Sequence, residues 1–451
     1  MPRVTVLGIF LLGWLGCCGR AAEPGSAMPP ATAPVAVFEA LCQALRNNYP
    51  MLELVGWQEA WVQDFRRQIE AAPNRDAAME LMDELVCRLN DYHTWLTWPG
   101  QPRRQTPPIR VEPVLASSRG GPRGVWDVRP PLELPPIDGF AIAVLAAPAD
   151  SEAKTGDEIL EVDGRPVQEA LQRAWRHVVG SSAAGKLKEA AEYMLAGPPG
   201  GPVQLRVRRP RPSAPAEEIV VRVLRGGGLR DSVIASREVG GVPVIRIRRW
   251  GDAEGVKLIE RFDAELERWR TRPGLIIDVR GNGGGSDGMA EQVVGRFLRA
   301  PCIASISFQR RAPGQTFERI VATVQPRGPW RYEGRVAVLT DEGCMSACEH
   351  FVSGMVEAGA LACGTPTSGC CGWILPVDLP GGAKLHVART YPLHTGGVPS
   401  PLLGIPPHLW APRTLADVRA GQDTALEAAL RWVQSSEPLP LRLQPVAPLA
   451  R

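Results

Sequence analysis

At 451 residues the chain has room for about two to four domains of ordinary size. Its 44% apolar, 22% charged and 6% aromatic composition excludes a chain too polar to build a core. The formal charge of +3 is spread without a block of like sign, which argues against nucleic acid as a partner.

Arg3 is followed by an apolar run from Val4 to Leu15, then by small residues around Cys17, Cys18, Ala21, Ala22 and Ala27. This is the layout of a secretory signal peptide over residues 1–27. The run falls short of the roughly 20 residues a spanning helix needs, so export to a periplasmic or extracellular space is expected rather than a membrane anchor. Trp14-Leu15-Gly16-Cys17 also resembles a bacterial lipoprotein cleavage box, which would attach a lipid at Cys17, although Trp is unusual at its first position. Export makes the ten cysteines eligible for disulfides. Cys344, Cys348, Cys363, Cys370 and Cys371 crowd one region, where either bridges or buried free thiols would fit. No CxxC pair or His/Cys spacing suggests zinc, and nothing implies an organic cofactor.

After a Pro-rich linker, apolar residues recur at helical spacing between Val35 and Leu96, as in Phe38, Leu41 and Leu45, then Met79, Met82, Leu85, Val86 and Leu89. Residues 28–105 therefore read as a helical N-terminal domain closed by a Pro-rich break. Residues 106–228 change to short strands and turns, including Phe140 to Leu145 and the alternating Val203, Leu205 and Val207. Within them Gly156-Asp157 makes a turn, Ile159 to Val162 a strand and Asp163-Gly164 a hairpin turn. This stretch looks like the core of a PDZ domain, a module that adds a peptide as an extra strand; a hairpin without a ligand accounts for the same residues. Residues 229–435 alternate strands and helices, which predicts an α/β domain with crossover connections. A helix is expected from Ala253 to Trp269, and residues 436–451 form a C-terminal tail.

Two stretches of this last domain carry chemistry. Leu275 to Val279 is an apolar strand running into Arg280-Gly281-Asn282-Gly283-Gly284-Gly285, where glycines let backbone N–H groups converge on an anion. A P-loop would need Gly-Lys-Ser/Thr and a dinucleotide site G-x-G-x-x-G; neither is present. Val336 to Thr340 is a second strand, followed by Asp341 to Met345 and then Ser346-Ala347-Cys348-Glu349-His350 at the start of a helix. A Ser hydroxyl there gains from the helix dipole and the next N–H can bind an oxyanion, although such a Ser taken alone is usually a plain N-cap.

Asp278 to Gly285, Met345 to Glu349 and Gly364-Thr365-Pro366-Thr367-Ser368-Gly369 together resemble the family of tail-specific, or C-terminal processing, serine peptidases. The resemblance implies a crotonase-like, spiral α/β catalytic core with a helical N-terminal domain and an inserted PDZ-like β-rich domain, acting on polypeptide substrates. It implies Ser346 as nucleophile, with backbone N–H groups of Gly283 or Gly284 and of Ala347 as the oxyanion hole. One branch places a Lys base after the GxPTxG motif, where this chain has Cys370 and Cys371; no lysine stands between Lys257 and Lys384. The tricorn-like branch uses a His in a D-x-H-T/S pattern, matched here by Asp91-Tyr92-His93-Thr94. His suits the task because its unperturbed pKa lies near neutrality. His350, one turn past Ser346, is a weaker candidate because it points along the helix.

The same branch orients its base with carboxylates in E-x-x-G-I/V-x-P-D, yet this chain has Pro401 and His408 at the acidic positions of Pro401 to His408. Glu349, Ser400 or a backbone carbonyl are left as orienting groups. The missing carboxylates also suit a second reading, a catalytically impaired homologue that binds peptides.

Overall fold

In a computed structural model of the protein the described residues are 33–53, 55–100, 104–117, 133–134, 137–211, 213–227, 232–253, 255–309, 316–370, 372–394 and 404–441. The signal-peptide and lipid readings on residues 1–27, Cys371, Ser400 and Pro401 lie outside them.

The N-terminal part is helical, as its periodicity predicts: α1 (Pro34–Asn48), α2 (Glu59–Glu70) and α3 (Arg75–Cys87), then a short strand β1 (Trp95–Thr97). Pro34 sits at the first turn of α1, where its missing N–H costs nothing, and Asn74 caps α3 by accepting the Ala77 N–H at 2.9 Å. There follow β2 (Arg110–Leu115), β3 (Phe140–Ala146), β4 (Glu158–Val162), β5 (Arg165–Pro166), α4 (Val167–Trp175), α5 (Ala183–Tyr193), β6 (Pro202–Arg211) and β7 (Ala214–Leu224). The strands form an antiparallel sheet in the order β2-β3-β4-β6-β7, with β5 paired to β4. Asp163 and Gly164, with φ of 50° and 75°, join β4 to β5 in the two-residue turn whose twist fits a hairpin.

The remaining elements are β8 (Ile234–Val239), β9 (Val242–Ile247), α6 (Leu258–Arg268), β10 (Gly274–Asp278), α7 (Asp287–Val294), β11 (Cys302–Gln309), β12 (Glu318–Val324), β13 (Arg335–Thr340), α8 (Ala347–Glu357), β14 (Leu361–Gly364), β15 (Ile374–Asp378), β16 (Lys384–Ala388), β17 (Thr390–His394), β18 (Leu409–Trp410), α9 (Leu415–Ala420) and α10 (Thr424–Gln434). The central sheet runs β18-β14-β13-β10-β9-β8, parallel except for the edge pair β8/β9. Its inner strands β10, β13 and β14 are buried almost throughout and mainly apolar, as burial on both faces requires. Ile277, Val338, Leu258, Phe262, Val293 and Phe351 belong to the core on one side, and Ile276, Leu339, Leu426 and Trp432 to that on the other. The helix expected from Ala253 begins only at Leu258. Val256 N–H bonds back to Ala253 O at 2.8 Å, and the Asp252 carboxylate accepts the Leu258 N–H at 3.0 Å, so residues 255–257 lie outside the helix.

Two smaller sheets tie the chain together: β12-β11-β17 and β1-β16-β15. In the second, Trp95 pairs with His386, and Leu385, Val387 and Ala388 complete the apolar core of α1–α3. The helical part thus shares a core with a hairpin almost 300 residues later.

Asp83, on α3, lies in this core's margin and accepts the Trp98 indole N–H at 3.0 Å, and burial pushes its carboxyl up to about 7. An unfolded Asp ionises near pH 4. Stability from this site is therefore complete below about pH 4 and lost as pH rises to about 7. Asp83→Asn is expected to gain about 2 kcal/mol at pH 8 and nothing at pH 4 in urea unfolding. Equal effects at both pH values would show that ionisation is not the cause.

Candidate active site

At the end of β13 the chain turns through Asp341 to Met345 into α8, with Ser346 as its N-cap residue. Ser346 has φ 55° and ψ −125°, outside the extended region an N-cap normally occupies, and makes no side-chain capping bond. A non-glycine residue held there costs on the order of 1–3 kcal/mol, which the surrounding contacts must offset. Ser346 N–H donates to Cys370 O at 2.7 Å, and Ser346 O accepts from Glu349 N–H at 2.9 Å and His350 N–H at 3.2 Å. The plain N-cap alternative therefore does not describe this serine.

The turn from β10 to α7 lies directly against it. A Cβ on Gly284 would stand 2.7 Å from Ser346 Cβ, 2.9 Å from Met345 O and 3.2 Å from Ala347 N. On the loop's other side a Cβ on Gly285 would stand 2.2 Å from Trp250 O. With φ of 102° and 136°, both positions require glycine on space and conformation alike. Gly284 N–H donates to Asn282 Oδ1 at 2.9 Å, while Asn282 O accepts Met345 N–H at 3.1 Å. Of the two glycines proposed from sequence as oxyanion donors, Gly284 thus has its N–H occupied, and Gly283 does not among the described residues.

The two turns are clamped by Asp341. Its Oδ1 accepts the N–H groups of Gly281 at 2.7 Å and Gly343 at 3.0 Å. Its Oδ2 accepts from Lys188 Nζ at 2.9 Å, and Glu112 lies 3.5 Å from the same ammonium. Burial opposes charge on both partners, but their mutual attraction holds Asp341 below the usual carboxylate range and Lys188 well above the usual amine range. Lys188 comes from α5 and Glu112 from β2, so the antiparallel unit supports the turn beside Ser346. Below, Asp278 is forked by Arg280 at 2.9 and 2.8 Å, and Arg280 also forks Asp423 on α10 at 2.7 and 2.8 Å. Burial resists its ionisation, yet Arg280 keeps Asp278 far below the usual range. Asp278 therefore anchors the strand end.

His93, 3% exposed, follows the turn that closes α3. Asp91 explains the motif's spacing: its Oδ1 accepts His93 N–H and its Oδ2 accepts Thr94 Oγ1–H, both at 2.9 Å. Thr94 Oγ1 in turn accepts Ala388 N–H at 3.2 Å, tying the segment to β16. Tyr92, Met345 and Cys370 belong to one small buried cluster with Val179, so the neighbours of His93 and of Ser346 share a packing unit.

Other candidates fall elsewhere. His350 Nε2 meets Glu291 Oε1 on α7 at 3.1 Å. Glu349 is fully buried, and its Oε1 binds Thr367 Oγ1 and accepts Gly369 N–H at 2.8 Å. It fixes the Gly364–Gly369 loop, whose continuation supplies the Cys370 carbonyl to Ser346. His408, at the expected Asp position, is built into the sheet: its N–H donates to Ala362 O at 2.8 Å and its Nδ1 accepts Ala362 N–H at 2.9 Å. Asp287, the first residue of α7, was not singled out from sequence. Crowding by the protein raises its carboxyl, whereas positive charge on His350 and on His93 lowers it. Only its position one residue past the glycine loop's Ser cap could have flagged it. The bridges considered near Ser346 are absent among the described residues: Cys344, Cys348, Cys363 and Cys370 are buried, and Cys344 Sγ–H donates to Val279 O at 3.1 Å.

Lys188→Met would leave Asp341 and Glu112 buried without their cation. A loss of about 3–5 kcal/mol is expected on urea unfolding, with Lys188→Met/Asp341→Asn losing less than the sum of the singles. Additive losses would mean that the two groups do not act together.

Residues 241–409 match peptidase family S41. A search of curated proteins returns no match. Among solved structures, mature CPAF complexed with lactacystin superposes with a TM-score of 0.68 at 17% identity, over 89% of this chain and 98% of that one. The photosystem II D1 C-terminal processing protease gives 0.51 at 17% identity, over 90% and 98%. At these identities the structures speak to fold, which they share with this chain along nearly their whole length. The matched segment contains the Gly283–Gly284 loop, Ser346 and the Gly364–Gly369 loop, and in that segment the chain is similar to the serine-type peptidases of family S41.

Proposed function

We propose that the protein is an exported serine endopeptidase in which Ser346 is the nucleophile and His93 the base. The observation that carries this reading is the packing of Gly284 against Ser346 and the Ala347 nitrogen, so close that an added Cβ would stand 2.7 and 3.2 Å from them. That packing brings the glycine loop to the N-terminal tip of α8, where the dipole favours negative charge. Ser346 Oγ attacks the peptide carbonyl while its proton passes to His93. The N–H groups of Gly283 and Ala347 stabilise the tetrahedral oxyanion, and His93 returns the proton to the departing amine. Water, deprotonated by His93, then cleaves the acyl-enzyme. Export rests on the N-terminal residues 1–27, and the antiparallel unit of β2 to β7 is read as a PDZ-like module that presents polypeptide substrate.

Of the groups weighed from sequence, Glu349 holds the Gly364–Gly369 loop, and His408, at one acidic position of the usual pattern, is bonded to β14. Asp287, whose carboxyl is raised by burial, interacts electrostatically with His93 and is the carboxylate we assign to its support. Coulombic attraction is reciprocal, so Asp287 favours the imidazolium and its removal favours neutral imidazole.

Residues 28–451 should cleave an unstructured substrate such as casein, and Ser346→Ala or His93→Ala should each reduce cleavage at least about 1000-fold with melting unchanged. If the wild type is inactive while Ser346→Ala binds the same peptides equally well, the chain is a peptide-binding homologue. Asp287→Asn should move the acid limb of the kcat/KM profile to lower pH; an unmoved limb would remove Asp287 from the site's electrostatics.

A further inference from the structure

Away from Ser346, one buried ammonium makes no ion pair with a carboxylate among the described residues. Lys186, on α5, is 3% exposed and lines a cavity of about 250 Å³ between the end of α3 and the end of α4. Its Nζ donates to one neutral acceptor, Asn90 Oδ1, at 2.7 Å, and stands 4.9 Å from the centre of the Trp175 ring. No carboxylate pairs with it among the described residues. Cys87 and Glu84 favour the charged amine without bonding it, Glu84 being engaged by Arg88 at 3.2 Å, and Glu133 and Arg176 line the cavity with opposite charges. Burying an ammonium without a counter-charge costs several kcal/mol. That cost appears here as a Lys186 amine lowered to about 8, chiefly by burial.

Compare Lys188, two residues further along the same helix and equally buried: it meets two carboxylates and is held well above the usual range. The contrast isolates what Lys186 lacks. An ammonium keeps two further N–H donors after bonding Asn90, and the cavity beside it is lined by polar groups with one aromatic wall.

We propose that this cavity is a binding site for a small oxyanion, a carboxylate or phosphate, whose oxygens accept from Lys186 Nζ and replace its missing counter-charge. The proposal is independent of the peptidase reading, since it requires neither Ser346 nor His93. The site touches the segment that carries His93, because Asn90 opens the turn from α3 into that residue.

The chain has only five lysines, so ε-¹³C-lysine labelling gives a spectrum simple enough to follow Lys186. Its signal is identified by the lowest titration midpoint and by its loss in Lys186→Arg. N-acetylglycine and inorganic phosphate would be titrated separately into the full mature chain, with ionic strength matched by sodium chloride. At least one is expected to shift the Lys186 signal saturably and raise its midpoint by about one pH unit or more, because a neighbouring anion favours the charged amine. Lys154, Lys257 and Lys384 should not move. Which probe acts distinguishes carboxylate from phosphate. If neither saturates, or if all the lysines drift together, the proposal is overturned.

Discussion

The structure around Ser346 depends on one close approach, the backbone of Gly284 against Ser346 and the Ala347 nitrogen. Two crossover turns, from β10 to α7 and from β13 to α8, must meet there without a side chain between them. Parallel neighbours in the sheet make this feasible, since Asp278 pairs with Leu339 and both strands deliver their turns at the same edge. Asp341 joins the turns by accepting an N–H from each, and Asn282 joins them again through its own carbonyl. A glycine at 284 is thus a demand of distance, and the positive φ of Ser346 is tolerated because its N–H and carbonyl are both bonded.

That arrangement is supported from remote parts of the chain. Lys188 brings the antiparallel unit to Asp341, and Arg280 ties the end of β10 to α10 through Asp423. The His93 segment arrives from the N-terminal helices, where β1 pairs with β16 and Thr94 bonds Ala388. Buried ion pairs of this kind contribute less to net stability than to fixing which groups meet, because desolvation consumes much of their attraction.

Departure from the usual acidic pattern is local and has a structural substitute. The His408 backbone N–H donates to Ala362 O and its ring Nδ1 accepts the Ala362 N–H, so the segment is bonded to β14 without a carboxylate. Glu349 likewise retains a structural task, holding Thr367 and Gly369 so that the Cys370 carbonyl faces Ser346.

Much of this was legible in local pattern. Apolar spacing located α1 to α3, glycine and Asp-Gly signals located the β4/β5 hairpin, and the apolar strands at 275–279 and 336–340 located β10 and β13, because burial on a helix stripe or on both sheet faces imposes a period on neighbours in sequence. The Gly loop, Ser346 and Asp91 to Thr94 were legible for the same reason, each being a short stretch whose own backbone needs dictate its residues. What only the tertiary structure decided were pairings across long sequence separations: Trp95 with His386, Lys188 with Asp341, the placement of Asp287, the occupation of the Gly284 N–H and the unpaired charge of Lys186. Such contacts leave no periodic trace, because a carboxylate or ammonium finds its partner through the fold of the chain between them.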